Sequence, residues 1–268
     1  MSTHDSRIEI DVESERIAGT LVAPGTMVPA VLFVHGWGGS QQQYLARARE
    51  IAALGCICLT FDLRGHARNE PQQERVSRND NLMDVLAAYD ELVTHPAVDA
   101  SSIAVVGSSY GGYLAAILTT MRPVKWLALR VPALYKDADW NTPKIELHKD
   151  PDLYAYRRRH VRTQDNRALK ACAAFAGDVL IIESEQDDTV PHPTIENYRE
   201  ACKHAHSLTY RVIQGADHGL SETTAQRSYT ALLVNWLNEM FIGARSGSIV
   251  AETSARGVVL QDAPARTG

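Results

Sequence analysis

Short apolar runs alternate with longer segments of helical periodicity along most of the chain. The runs with strand character are 17–24, 30–36, 56–65, 102–107, 124–132, 178–184 and 208–215. Apolar residues at three- and four-residue spacing predict helices between them. These segments are 42–55, 80–96, 110–121, 195–205 and 223–241. The alternation predicts an α/β fold with a mostly parallel sheet and helices on both faces.

Three segments outside this alternation set the expected domain organisation. The opening "RIEIDVE" is predicted to pair antiparallel with the run 17–24. Residues 133–177 are polar and rich in Asp, Tyr and Arg, which indicates a small insertion that caps the carboxyl edge of the sheet. Residues 244–268 are small and polar with little periodicity, which predicts a disordered tail. We therefore expect a single domain over residues 1–243.

Composition narrows the class of protein. A chain of 268 residues with 45% hydrophobic content can bury one large core. Its net charge of −5 argues against a general nucleic-acid binder. No stretch reaches the roughly 18 apolar residues of a membrane helix, and the polar, acidic start lacks the pattern of a secretory signal. We therefore expect a cytoplasmic protein with no nucleic-acid or membrane partner.

The cysteines and other potential ligands suggest no cofactor. The spacing of the four cysteines matches no zinc-binding pattern. Cys56 and Cys58 lie on one face of a predicted strand and are interpreted as small buried hydrophobic residues. No cluster of residues points to a metal or an organic group. The sequence therefore predicts chemistry that needs only side chains and backbone.

The stretch "GSSYGG" joins a predicted strand to a predicted helix and holds the strongest chemical signal. The spacing G-x-S-x-G is typical of a nucleophile placed on a sharp strand-to-helix turn. The residues two before and two after the nucleophile must be small. Ser109 has Gly107 and Gly111 at these positions, whereas Ser108 has valine and tyrosine. Ser109 is therefore the candidate nucleophile, and the alternative is a glycine-rich turn without chemistry or a phosphate cradle.

A serine nucleophile needs a base and an acid that orients the base. In this strand–turn–helix setting the order along the chain is serine, acid, histidine. His218 follows the last predicted strand within "GADHG" and is the candidate base. Asp187 and Asp188 both follow the strand 178–184, so either can be the acid on position alone.

Two backbone N–H groups are predicted to bind a developing oxyanion. Tyr110 directly follows Ser109, and its N–H lies at a helix N-terminus. Trp37 follows the run 30–36 and its exit "HG", which turns the backbone towards the nucleophile. The Trp37 side chain is also a candidate for the pocket wall. His35 is interpreted as structural, holding this loop by hydrogen bonds.

The motifs HGWGGS, FDLRGHARN, GSSYGGYLAA, EQDDTVP and GADHG together resemble the α/β-hydrolase superfamily. They occur in the order of that family and cover residues 17 to 241. In the family the acid commonly stands four residues before the proline of a D-x-x-V-P stretch, and this selects Asp187. The resemblance also implies an eight-stranded, mostly parallel sheet whose second strand is antiparallel.

Within the superfamily, GSSYGGYLAA is similar to prolyl-oligopeptidase-like serine hydrolases and dienelactone-hydrolase-like esterases. Dienelactone hydrolases proper have a cysteine where this chain has Ser109, and we expect no counterpart of the large oligopeptidase propeller. The resemblance implies a carboxylesterase-like serine hydrolase with the triad Ser109–Asp187–His218, acting on small to medium soluble esters through an acyl-enzyme. Amide or peptide cleavage is the first alternative. A non-catalytic ligand-binding receptor of this fold is the second.

Substrate specificity is expected to reside in the insertion. Tyr135, Trp140 and Tyr156 are predicted to line the substrate pocket together with Trp37, or alternatively to pack the cap. The arginines at 157–159 either attract a carboxylated substrate or form a solvated helix face. The acyl group, the alcohol and the oligomeric state are left open by the sequence.

Overall fold

The computed structural model describes residues 3–12, 15–24, 27–67, 72–138, 140–147 and 149–258, with side chains between 27 and 244. Eight strands lie in these ranges. They are β1 (Thr3–Val12), β2 (Glu15–Pro24), β3 (Val28–Val34), β4 (Ile57–Thr60), β5 (Val98–Ser108), β6 (Trp126–Arg130), β7 (Asp178–Gln186) and β8 (Ser207–Asp217). Strands β3 to β8 form one parallel sheet in the order β4-β3-β5-β6-β7-β8. The predicted α/β class is confirmed.

The first two strands form a separate antiparallel hairpin. They pair along their whole length, from Thr3 opposite Pro24 to Val12 opposite Glu15, as the sequence predicts. Among the described residues no ladder joins this hairpin to the parallel sheet. The expected single sheet of eight strands is therefore wrong, and the strands divide into two and six.

Eight α-helices connect or cover the strands within the same ranges. They are α1 (Gln42–Ala52), α2 (Arg78–Thr94), α3 (Tyr110–Leu118), α4 (Lys144–Leu147), α5 (Leu153–Arg157), α6 (Arg167–Ala174), α7 (His192–Ala201) and α8 (Thr223–Val258). The start of α2 is fixed by a reciprocal cap, in which Ser77 and Asp80 each accept from the other's backbone N–H. None of the helices described combines the length and apolarity of a bilayer span.

Both faces of the parallel sheet are buried, which explains its continuous apolar runs. In β3, Leu32 and Val34 point to one core, while Val31 and Phe33 point to the other. Helices α2, α3, α6 and α7 cover the first face. Helices α1 and α8 cover the second. Because all six strands are parallel, their carboxyl ends lie at the same edge of the sheet. A ligand site is expected at this edge.

Two segments differ from the sequence-based boundaries. Strand β4 ends at Thr60 rather than at 65, because the residues that follow bond to side chains instead of a ladder: the Asp62 carboxylate accepts from the Gln41 N–H, and the Leu63 N–H donates to His35. Helix α8 continues past Gly243 to Val258, over residues 244–258 where a disordered tail was expected. That stretch contains several good helix formers. Residues 259–268 lie outside the described part of the chain.

The insertion 133–177 contains α4, α5 and α6. Its Arg157 donates to the backbone oxygen of Thr189, in the loop that follows β7. Its Lys144 amine lies 4.6 Å from the Trp37 ring centroid, in the loop that follows β3. The insertion therefore contacts loops at the carboxyl edge of the sheet.

Candidate active site

Ser109 lies between the end of β5 and the start of α3 in a strained backbone conformation. Its φ of 51° and ψ of −118° are unfavourable for a residue with a Cβ. Three backbone bonds hold it there. Its N–H donates to the Arg130 oxygen at 2.9 Å, and its own oxygen accepts from Tyr113 at 3.1 Å and from Ala133 at 3.0 Å. The turn therefore has the geometry of a nucleophile elbow.

The two flanking glycines are required by close backbone contacts. A Cβ on Gly111 would lie 2.2 Å from the Val34 oxygen, and one on Gly107 would lie 2.5 Å from the Gly111 oxygen. Neither contact can be relieved by a flexible side chain, because both neighbours are backbone atoms. The spacing that selected Ser109 over Ser108 in the sequence therefore has a steric cause in the fold.

The structure brings Ser109, His218 and Asp187 into one hydrogen-bonded chain. His218 Nε2 lies 3.0 Å from Ser109 Oγ, and His218 Nδ1 lies 2.6 Å from Asp187 Oδ2. These residues follow β5, β8 and β7, respectively, at the shared carboxyl edge of the sheet. Both distances are within the reach that a nucleophile–base–acid relay needs.

Asp187 is fixed by its own loop. Its Oδ1 accepts from the N–H groups of Thr189 at 2.9 Å and Val190 at 2.7 Å, and its side chain is 1% exposed. The second carboxyl oxygen is left to face His218. Asp188, the other acid that position alone allowed, is exposed. The geometry thus supports the acid that the family resemblance selected.

The loop after β3 approaches the serine closely. A Cβ on Gly36 would lie 3.3 Å from Ser109 Cβ, and Trp37 lines the same cavity as Ser109. Tyr110 is the first residue of α3, and its hydroxyl donates to Asn81 Oδ1 at 3.2 Å. The main chains of Trp37 and Tyr110 therefore lie on two elements that meet at Ser109, as an oxyanion-binding pair requires.

His35 forms hydrogen bonds that fix the loop after β3, and it forms none with Ser109 among the described residues. Its Nδ1 donates to the Gly36 oxygen at 2.8 Å, and its Nε2 accepts from the Leu63 N–H at 3.0 Å. The side chain is fully buried, and burial lowers its pKa from 6.5 to about 4. The bond at Nε2 needs the neutral ring, because a protonated Nε2 cannot accept a hydrogen bond, and the two bonds together make His35 a structural link between the loops after β3 and β4.

The low pKa of His35 gives an expected dependence of stability on pH. Between about pH 4 and 6.5 the unfolded chain binds a proton at this residue and the folded chain does not. His35 therefore leaves the free energy of unfolding undiminished above pH 6.5 and lowers it as the pH drops towards 4, by an amount on the order of 3 kcal/mol when the folded chain is protonated there. Urea unfolding across this range measures the effect.

The variant His35→Gln should be less stable at neutral pH and should show a flatter slope between pH 6.5 and 4. His204→Gln, at an exposed position, is the matched control and should keep the wild-type slope. An unchanged slope in His35→Gln would show that other groups carry the pH dependence.

A cavity of about 360 Å³ opens beside Ser109 and His218. It lies on the side of the sheet covered by α1 and α8. Sequence reasoning placed Trp37 in its wall but missed Arg47, Arg130 and Tyr229. A signal existed for Arg130, which ends the apolar strand "WLALR" at the functional edge. No local sequence pattern marks Arg47 or Tyr229. They reach the cavity from α1 and α8, two helices that are far apart in the sequence but pack together.

Tyr135, Trp140 and Tyr156 do not line this cavity, contrary to the sequence-based prediction. Tyr135 and Tyr156, which belong to the insertion, are buried in the hydrophobic core on the face of the sheet covered by α2, α3, α6 and α7. The Tyr156 hydroxyl lies 3.1 Å from the amide of Asn166, and the Trp140 ring N–H donates to Asn79 at 3.1 Å. These aromatic residues pack the insertion onto the domain, which was the alternative.

Lys144 anchors the same insertion. Its side chain is fully buried, and its amine lies 4.7 Å from the ring centroid of Tyr135 and 5.0 Å from that of Tyr110. Burial lowers the pKa of Lys144. The cation faces the rings, where the quadrupole of an aromatic face offsets part of the cost of removing it from water.

The arginine run has structural partners. Arg157 is buried and donates to the backbone oxygens of Leu134 and Thr189 at 3.1 and 2.9 Å. Arg158 and Arg159 lie over the rings of Tyr154 and Tyr156. None of the three lines the cavity beside Ser109. Arg157 instead supports the loop that carries Asp187.

Comparison with known proteins connects this geometry to a family. A sequence profile of the prolyl oligopeptidase family matches residues 40–243. No curated protein matches the chain. Many solved structures resemble it, including a dienelactone hydrolase from Anabaena variabilis (19% identity, 87% of this chain and 96% of that chain, TM-score 0.55). An esterase from Pyrococcus furiosus (16% identity, 89% and 92%, TM-score 0.60) has the same fold. An acylaminoacyl peptidase from Pyrococcus horikoshii (16% identity, 88% and 41%, TM-score 0.57) also shares it.

Proposed function

Because the chain belongs to the prolyl oligopeptidase family of serine hydrolases with the α/β-hydrolase fold, we propose that it hydrolyses carboxylic esters of small to medium soluble substrates. The observation that carries the proposal is the chain of bonds from Ser109 through His218 to Asp187, built on a strained elbow. A strained serine aligned with a base and a buried acid is the arrangement that acyl transfer needs.

In the first half of the proposed reaction, Ser109 Oγ attacks the ester carbonyl carbon and gives its proton to His218 Nε2. The carbonyl π electrons move to the oxygen, which the N–H groups of Trp37 and Tyr110 receive. Asp187 stabilises the imidazolium and keeps the ring oriented. The carbon–oxygen bond to the alcohol then breaks, and the alcohol leaves with the proton from His218.

In the second half, water attacks the acyl-enzyme and gives a proton to His218 Nε2. The new tetrahedral intermediate collapses as its bond to Ser109 Oγ breaks. The serine regains its proton from His218, and the carboxylic acid is released. Every proton passes through His218, so no further acid or base is required.

The size of the cavity favours ester substrates with a compact acyl group. Its volume of about 360 Å³ is at the lower end of the range for ligand pockets. Among the structures with the same fold, those named as esterases and as a dienelactone hydrolase are matched over nearly their full length. An extended peptide would need a longer groove.

Cleavage of amides is the second candidate, and the family match favours it. The matching family takes its name from a peptidase, and one structure with the same fold is an acylaminoacyl peptidase. This chain spans 41% of the length of that peptidase. The same triad can cleave amides, because the protonated His218 can donate to a leaving amine as well as to an alcohol.

The two candidates are separated by measuring kcat/KM for p-nitrophenyl esters of increasing acyl length and for an aminoacyl p-nitroanilide. We expect turnover of the esters with a maximum at short or medium acyl chains and a lower kcat/KM for the anilide. Faster cleavage of the anilide would replace the esterase proposal with the peptidase one. Absence of turnover for both classes would favour the ligand-binding alternative.

A further inference from the structure

The cavity beside Ser109 is lined by positively charged side chains, although the chain as a whole is acidic. Among the described residues that line it, apart from His218, the charged side chains are Arg47 and Arg130. No aspartate, glutamate or lysine is among its lining residues in the described part of the chain. The whole chain has a net charge of −5, so a cationic cavity does not follow from its composition.

Arg130 is held at the site without an acidic partner. It is the last residue of β6 and is 8% exposed. Its Nη1 donates to the backbone oxygen of His218 at 3.0 Å, and its Nε points to Ser108 Oγ at 3.4 Å. No ion pair joins Arg130 to a carboxylate among the described residues. A nearly buried cation of this kind normally has a counter-charge.

Arg47 approaches the same cavity from α1. Its Nε donates to the Thr230 hydroxyl at 3.1 Å, and it too forms no ion pair within the described ranges. Its guanidinium carbon lies 4.3 Å from the Tyr229 ring centroid, and that of Arg130 lies 5.6 Å from the same ring. The Tyr229 hydroxyl is buried and has no hydrogen-bond partner among these residues. Two guanidinium groups and the Tyr229 hydroxyl therefore lie together around one aromatic ring, in one wall of the cavity.

This wall has the chemistry of a carboxylate-binding site. Guanidinium groups donate two parallel bonds to a carboxylate and are the side chain most suited to that ion. Two uncompensated cations in a recessed cavity also focus a positive potential towards anionic ligands. Ser109 and His218 lie in the same cavity. An anion bound at the arginines would therefore belong to the molecule whose ester bond is attacked.

We propose that Arg47 and Arg130 form a carboxylate subsite, so that the preferred substrates are esters carrying a free carboxylate. This inference rests on the proposed esterase function and names its substrate class. Arg47 is the residue chosen for the test, because its side chain interacts with Thr230 and with the Tyr44 and Tyr229 rings, none of which belongs to the proposed triad. Arg130 binds the anion and also positions His218 through its backbone oxygen.

The test compares monomethyl adipate with methyl adipamate, in which a neutral amide replaces the carboxylate, by proton release at constant pH. A second pair places the carboxylate or the amide on the alcohol side instead. Wild type is expected to show a kcat/KM ratio of about 10 to 100 in favour of the acid in at least one pair, as expected for bonds to a charged group. The pair that shows the preference identifies the half of the ester that occupies the cavity.

In Arg47→Gln the ratio of acid to amide should fall about three- to tenfold, chiefly through a higher KM of the acid, because only Arg130 then remains to bind the carboxylate. The ratio within one variant cancels any general loss of activity. Arg49→Gln, an exposed position on the same helix outside the cavity, is the matched control and should keep the wild-type ratio. Arg47→Glu should bring the ratio below 1.

Two failures are distinguishable. If wild type hydrolyses the neutral and anionic esters with equal kcat/KM in both pairs, or if Arg47→Gln keeps the full wild-type preference, the carboxylate subsite is wrong and the esterase function stands. If wild type hydrolyses neither these esters nor the p-nitrophenyl series, the proposed esterase function fails.

Discussion

Replacing Ser109 with alanine is expected to lower kcat for ester hydrolysis by about 10⁴- to 10⁶-fold while leaving the fold intact. The Ser109 hydroxyl lies 3.0 Å from His218 Nε2. It is the hydroxyl of the elbow that is placed to give its proton to this base. Alanine keeps a Cβ and removes one oxygen, and the backbone bonds that fix the turn do not involve the hydroxyl. Initial rates with a p-nitrophenyl ester measure the loss of kcat, and a thermal unfolding curve shows whether the fold is intact.

Ser108→Ala is the matched control, one residue earlier in the same turn. Ser108 is buried, and its hydroxyl faces Arg130 rather than His218. This variant should keep at least about a tenth of the wild-type kcat on a neutral ester, since a single hydrogen bond near the site is worth on the order of 1 kcal/mol. A large loss in Ser108→Ala with a small loss in Ser109→Ala would reverse the assignment of the nucleophile.

Asp187→Asn is expected to lower kcat by about 10⁴-fold with little change in KM. The carboxylate accepts a hydrogen bond from His218 Nδ1–H, which keeps the proton on Nδ1 and leaves Nε2 free to take the serine proton. An asparagine amide in its place can donate to Nδ1 and so favour the tautomer with its proton on Nε2, which cannot act as the base. The measurement is kcat and KM for one neutral ester at pH 8.

Asp188→Asn tests the neighbouring acid with the same chemical change. Asp188 is exposed and has no bond to His218. Its variant should hydrolyse the ester at close to the wild-type rate. A selective loss in Asp188→Asn would mean that the loop after β7 presents the other carboxylate to the histidine in solution.

The positions of Ser109 and His218 in the proposed triad could be predicted from the sequence because both residues obey a local rule. Close backbone contacts admit only glycine at Gly107 and Gly111, and this steric requirement singles out Ser109. Parallel strands bring their carboxyl ends to one edge, so a histidine directly after the last strand reaches that edge. The choice of Asp187 over Asp188 needed the family resemblance. In a loop, no periodic pattern tells which of two adjacent side chains points towards the histidine and which towards solvent.

The walls of the cavity could not be predicted in the same way. Tyr135 and Tyr156 were assigned to the pocket because aromatic residues in an insertion fit a pocket wall and a packed core equally well. The structure places them in the core. Arg47 and Tyr229 lie 182 positions apart in the sequence and meet only through the packing of α1 against α8. Such long-range contacts leave no local pattern.

The number of strands in the sheet is a further case of long-range pairing. Both hairpin strands were recognisable from their alternation, and their mutual pairing followed from adjacency. Whether the hairpin also joins the parallel sheet depends on a contact between elements, which the alternation of apolar and polar residues does not encode.

The most direct test of the central claim, that Ser109 is an activated nucleophile, is labelling of the folded protein with a fluorophosphonate, followed by mass spectrometry of the digested chain. We expect one adduct, on Ser109, formed by the native protein and not by the urea-unfolded chain. Asp187→Asn should slow its formation and Asp188→Asn should not. Absence of an adduct on the native protein, or an adduct on a different residue, would contradict the assignment.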